Sequence, residues 1–152
     1  MALIKDIFER EGIDIVKTIQ SKLSTSGANA TGKTSASLEL EASDTRLTIH
    51  GAKSFLFVET GRRAGKRPPI APIKEWAIAK GLVSDDKQAR SLAFAIATKI
   101  GNEGTTTVSE TKPRDIYQTT ITDERIANIY DEINGVFADR VLSEVIKNLN
   151  TK

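Results

Sequence analysis

The chain has 152 residues, the usual size of one domain, and Leu, Ile, Val and Phe supply 39 of them, too many for a disordered segment. It has no cysteine and one histidine, His50, which excludes thiolate metal sites, disulfides, cysteine nucleophiles and zinc sites built on several histidines. A net charge of +2 from 22 basic and 20 acidic residues does not by itself point to nucleic acid, so the local distribution of charge has to be read instead. The apolar runs are too short to span a membrane, and the start, Met1-Ala2-Leu3-Ile4-Lys5-Asp6, has no signal-peptide core. A cytoplasm-like compartment and a core of Ile, Leu, Val and Ala are expected.

Residues 3–23 predict an amphipathic helix, with Leu3, Ile4, Ile7, Phe8, Ile15, Val16, Ile19 and Leu23 at three- and four-residue spacing. Gly12 marks a kink or break in it. Ser24–Lys33 is small, polar and glycine-bearing, and reads as a loop. From Ser35 the period changes to two: Ala36, Leu38, Leu40 and Ala42 alternate with Ser35, Ser37, Glu39 and Glu41. A turn at 43–46 and an inward Leu47 and Ile49 complete a β-hairpin over 35–50. Ala52–Val58 fits a strand or a short helix.

Gly61–Pro69 is a loop by composition, since Pro68-Pro69 supports neither a helix nor a ladder. Pro72 suits the first turn of a helix running to about Lys80 and stopped by Gly81, with Ile73, Trp76 and Ala77 inward. A second helix is expected from about Asp85 to Ile100, capped by Asp85 or Ser84 and stopped by Gly101. Residues 102–122, Thr-rich with Pro113 in the middle, read as a long loop or interaction arm with room for a strand near 115–121. Asp123–Leu149 is the longest helical pattern, striped by Ile126, Ile129, Tyr130, Ile133, Phe137, Val141, Val145 and Leu149.

Gly27-Ala28-Asn29-Ala30-Thr31-Gly32-Lys33-Thr34 matches the phosphate-binding pattern G-x-x-x-x-G-K-[ST]. A working version needs a buried strand before it and a helix opening at Lys-Thr, so that backbone N–H groups face the phosphates. Here an amphipathic helix precedes it and an alternating strand is expected after it, so the match reads as a decoy. Between Glu59 and Glu75 lie five basic residues, Arg62, Arg63, Lys66, Arg67 and Lys74, and no acidic one. Such a loop is a solvated surface or a contact for an acidic partner or phosphate backbone. It has no interleaved aromatics for base stacking. His50 reads as an edge residue, Glu39 and Glu41 as a wet strand face, and Trp76 as core. No constellation reads as catalytic, and no cofactor or metal is expected.

Phe57-Val58-Glu59-Thr60-Gly61-Arg62-Arg63-Ala64-Gly65-Lys66-Arg67-Pro68-Pro69-Ile70, followed by Ile73, Trp76 and Lys80-Gly81-Leu82, resembles the head–tail joining or tail-completion (neck) proteins of tailed phages, including those of crAss-like phages of gut bacteria. The resemblance spans about residues 30 to 106 and is carried by Glu59, Thr60, Gly61, Gly65, Pro68, Pro69 and Trp76. It implies an α+β domain with a small antiparallel sheet, the hairpin over 35–50 plus one or two strands, packed on several helices and followed by a long C-terminal helix. It also implies a non-enzymatic virion protein, made in the host cytoplasm, that assembles into a ring at the head–tail junction or tail. Its partners there are copies of itself and portal, connector or tail proteins, with no membrane involved. Arg62, Arg63, Lys66 and Arg67 match the family's basic loop and would face a neighbouring subunit or packaged DNA. The arm 102–122 would reach across to the next subunit. The alternative expectation is a cytoplasmic DNA-binding module using the loop 61–74.

Overall fold

The computed structural model describes residues 4–28, 30–105 and 113–150. Helix α1 (Ile4–Thr25) organises the rest: Ile4, Ile7, Ile15, Ile19 and Leu23 recur on one face and are buried. Gly12 does not break this helix. It is buried because the hairpin crosses there, and a Cβ at this position would lie 2.3 Å from Leu40 Cδ1 and 2.8 Å from Leu47 Cδ1. The absent side chain is what lets the sheet sit down on the helix.

The hairpin consists of β1 (Glu39–Ala42) and β2 (Leu47–His50), paired antiparallel with Leu40 opposite Ile49 and Ala42 opposite Leu47. Residues directly opposite share a face, so these four turn towards α1 while Glu39, Glu41, Thr48 and His50 turn away. The sheet is shorter than the alternation implied. Residues Lys33–Ala36 form a single helical turn, α2, entered through Gly32 at φ +71°, with Ala36 N–H donating to Gly32 O. Only from Glu39 on does the alternating pattern meet a partner strand. Among the described residues these are the two strands present: 52–58 contributes to helix α3 (Ser54–Thr60), and 116–120 is a turn.

Helices α4 (Ile70–Ala79) and α5 (Asp86–Glu103) pack on each other. Their seam is built from small side chains: Ala77 on α4 faces Ala89, Ala93 and Ala97 on α5, all buried, with Gly101 continuing the four-residue step. Asp85 caps α5, its Oδ2 accepting from Gln88 N–H at 3.0 Å. The stop comes three residues later than expected, at Gly104 with φ +77°. Trp76 is not a core residue. It is 36% exposed, because it is Ala77, about 100° further round the helix, that faces the seam.

Of the span expected to form an arm, the described part is docked on the body. Ile116 is 2% exposed and closes the core with Ile15, Ile19 and Leu23, while Leu38, Leu47, Ile49, Phe55 and Val58 pack around it. Residues 106–112 lie outside the described residues. Thr122 then caps α6 (Asp123–Leu149), its Oγ1 accepting from Arg125 N–H at 3.2 Å. The result is an α+β fold of six helices and a two-stranded antiparallel sheet among the described residues, with the long helix last.

Filling the space over Gly12 tests the role given to it. A Gly12→Val substitution is expected to lower stability by about 1–3 kcal/mol through overpacking against Leu40 and Leu47. Urea denaturation followed by far-ultraviolet ellipticity measures it; an unchanged midpoint would mean that the hairpin does not rest on α1 at that point.

Candidate functional site

The basic loop is pinned at both ends. Gly61, at φ +71°, ends α3, its N–H donating to Phe57 O at 3.0 Å. The loop then lies along the end of α5. Arg62 N–H donates to Thr105 Oγ1. In return, Thr105 N–H donates to Arg62 O at 2.8 Å, and Gly65 N–H donates to Gly101 O at 2.7 Å. The approach is close enough to need glycine on the far side, since a Cβ on Gly104 would meet Arg62 O at 2.7 Å and Ala64 N at 3.0 Å. Pro68 is buried, and Pro69, in extended conformation, feeds the chain into α4.

This rigid path divides the five basic residues. The Arg62 guanidinium lies 4.1 Å from the centre of the Phe57 ring, and that of Arg67 lies 5.5 Å from the centre of Phe94. Lys74 Nζ pairs with Asp86 Oδ1 at 2.5 Å, joining α4 to α5. Arg63 and Lys66, on either side of Gly65, are exposed. The structure therefore brings Arg62, Arg63, Lys66 and Arg67 together on one loop but places Lys74 on the helix that follows, tied to an acid.

Glu59 faces inward and is 7% exposed. Its two carboxylate oxygens accept from the backbone N–H groups of Ile116 (3.2 Å) and Tyr117 (3.1 Å), and its own carbonyl accepts from Arg114 N–H at 3.0 Å. A carboxylate in α3 thus fixes the segment that delivers Ile116 to the core. Sequence reasoning missed this link, since partners 57 and 58 residues apart leave no local pattern. Thr60 Oγ1 donates back to Leu56 O at 2.9 Å, a contact within its own helix.

The glycine-rich match at 27–34 runs from the end of α1 into the single turn α2, so no strand leads into it. Lys33 Nζ is paired with Glu75 of α4, and Thr34 Oγ1 lies 3.2 Å from Ser54 Oγ. His50, at the end of β2, lies 3.4 Å from Glu41 Oε2 across the hairpin, both exposed. Among the described residues no group of three or more His, Asp or Glu is placed to hold a metal ion.

Two apolar surfaces stand open. One is a groove of about 840 Å³, floored by Ile15 and Ile19 and walled by Leu47, Ile49, Phe55, Leu56, Tyr117, Ile121, Ile126 and Ile129. The other is α6 itself. It carries the apolar stripe read from the sequence, yet no residue of the helix is buried: Tyr130 is 63% exposed, Val141 64% and Leu149 71%. The reason lies in how the helix is attached. It meets α1 through ions, with Arg125 Nη2 donating to Glu11 Oε2 (3.1 Å) and Asp14 Oδ2 (2.6 Å), and Arg10 gripping Glu132 through both guanidinium nitrogens (2.9 and 2.5 Å). The hydrogen bonds from Arg10 hold the Glu132 carboxyl below the usual carboxylate range, and those same bonds raise Arg10 above its ordinary value. Ile126 and Ile133 lie about 100° round the helix from this charged seam, so the apolar stripe points elsewhere.

The chain matches no protein-family model, no curated protein and no solved structure.

Two outcomes follow from these contacts. Glu59→Ala leaves the N–H groups of Ile116 and Tyr117 without their acceptor and is expected to cost about 2–3 kcal/mol in urea unfolding, with Glu59→Gln, which keeps one acceptor oxygen, losing less. The Glu132 carboxyl, depressed in the folded state, adds stability above its unfolded pKa, and that contribution disappears as pH falls through the folded value. Wild type should therefore exceed Glu132→Gln by up to about 1 kcal/mol at pH 6, the range for an exposed pair, and the gap should shrink as acid protonates the carboxyl. Parallel melts that kept a constant gap as the pH was lowered would remove the Arg10–Glu132 pair as an attachment of α6.

Proposed function

We propose that this chain is a non-enzymatic structural protein that works by assembling with copies of itself, as a ring-forming component of the head–tail junction or tail of a tailed phage. The observation that carries the reading is α6: 27 residues of helix with an apolar stripe and no buried residue. A contiguous apolar surface of this kind on a single chain marks a protein–protein contact. Leaving it in water forgoes about 25 cal/mol per Å² that association would recover. The near-balanced charge, +2 overall, puts no large repulsion between neighbouring copies. The placement in a phage neck rests on the sequence resemblance over about residues 30 to 106. In that setting the rigid loop with exposed Arg63 and Lys66 is the part suited to a neighbouring subunit or to packaged DNA, and portal, connector or tail proteins are the other partners.

The DNA-binding alternative draws less support from the loop. Arg62 and Arg67 lie over aromatic rings and Lys74 is paired with Asp86, so few of the five cations are placed for phosphate.

Light scattering coupled to size exclusion, followed by negative-stain imaging, tests the self-assembly. The expected outcome is a closed ring of identical subunits at micromolar concentration, and a monomer at all concentrations would overturn it. A gene lying outside any cluster of capsid, portal and tail genes would remove the head–tail placement while leaving self-assembly standing. Duplex DNA affinity that fell steeply with salt and was abolished by Arg63→Glu and Lys66→Glu would favour the alternative.

A further inference from the structure

We infer that the far half of α6, from Phe137 to Leu149, docks in the apolar groove of a second copy, head to tail, an inference that rests on the self-assembly reading and names its interface. Both halves of the contact are present on one chain, and the described residues fill neither. The groove is about 840 Å³, with Leu47, Ile49, Phe55 and Leu56 on its walls. The helix presents Phe137, Val141, Val145 and Leu149 at successive four-residue steps, each about half exposed or more. That is the pattern by which an amphipathic helix fills a hydrophobic groove.

The geometry also says whose groove is filled. The near end of the same stripe, Ile126 and Ile129, already forms a wall of its own subunit's groove. A continuous helix rises about 1.5 Å per residue, so Leu149 lies about 30 Å beyond Ile129 and cannot return to that groove. From Val141 to Asn150 every residue is exposed, so none of the described residues covers this half. Charge does not oppose a second copy as occupant. The helix segment itself, with Asp139, Arg140, Glu144 and Lys147, is neutral and puts no net charge against the groove. Phe137, Val141, Leu142, Val145, Ile146 and Leu149 are each about half exposed or more and supply apolar surface towards the roughly 800 Å² per partner of a standard interface. A helix of one copy in the groove of the next is a heterologous contact, which repeats around an axis into a ring when the rotation closes.

Two variants on exposed positions test it. Val141→Asp removes the stripe and Leu56→Asp removes the groove, at sites 64% and 62% exposed where folding does not depend on the side chain. Each alone is expected to weaken assembly at least tenfold, read by light scattering, with unchanged ellipticity. Mixed in equal amounts, they should form a one-to-one dimer that grows no further, because one intact stripe meets one intact groove. The chain has no cysteine, so Val141→Cys and Leu56→Cys give a second measurement that does not depend on tolerance of a charge. Oxidised together they should yield a disulfide-linked dimer containing one of each. If Leu56→Asp leaves the oligomer intact while Val141→Asp destroys it, helix pairs with helix; the head-to-tail contact is then overturned and self-assembly stands. If wild type is a monomer throughout, both fall.

Discussion

Helix α1 carries two kinds of contact on adjoining faces, and the rest of the chain is arranged around that division. One face is aliphatic, and against it the hairpin and the segment around Ile116 form the core with Ile15, Ile19 and Leu23. The other presents Glu11 and Asp14 as acceptors and Arg10 as donor, and it holds α6. Aliphatic burial is strong and insensitive to direction, whereas exposed ion pairs contribute little but fix register. The helix attached by the second kind of contact therefore keeps its apolar stripe unspent, and the interaction surfaces of the protein follow from that.

The basic loop shows why a run of charge is a poor guide to a ligand. By sequence, five cations in fourteen residues suggest an electrostatic contact. In the fold, two of them lie on aromatic faces and one is paired with an acid, so the loop is as much a brace between α3, α4 and α5 as a surface. Its glycines and prolines act in the same way: Gly61 ends α3 at φ +71°, Gly65 N–H donates to Gly101 O, and Pro68 is buried where the loop enters α4.

Much of the architecture could be read directly. The two-residue alternation around Leu40 and Ile49, the cap at Asp85 and the span of α6 are local patterns, and local patterns survive into the fold. What could not be read is non-local. Alternation at Ser35–Leu38 looks like a strand until one knows that no partner strand faces it. Gly12 reads as a weak point in a helix until the hairpin is laid across it. Periodicity marks the stripe of α6 as apolar, but it cannot say whether the complementary surface belongs to the same chain. Ile116 and Glu59, partners in holding the core closed, sit in segments whose sequences give no hint of one another.

The alanine seam between α4 and α5 makes these two helices one unit, joined to the body by the loop 61–69 and the Lys33–Glu75 pair. The single indole of the protein belongs to that unit, on its outer side. Intrinsic fluorescence thus watches this pair of helices, while circular dichroism is dominated by α1 and α6. The protein carries its own pair of optical reporters for asking whether its two halves melt as one.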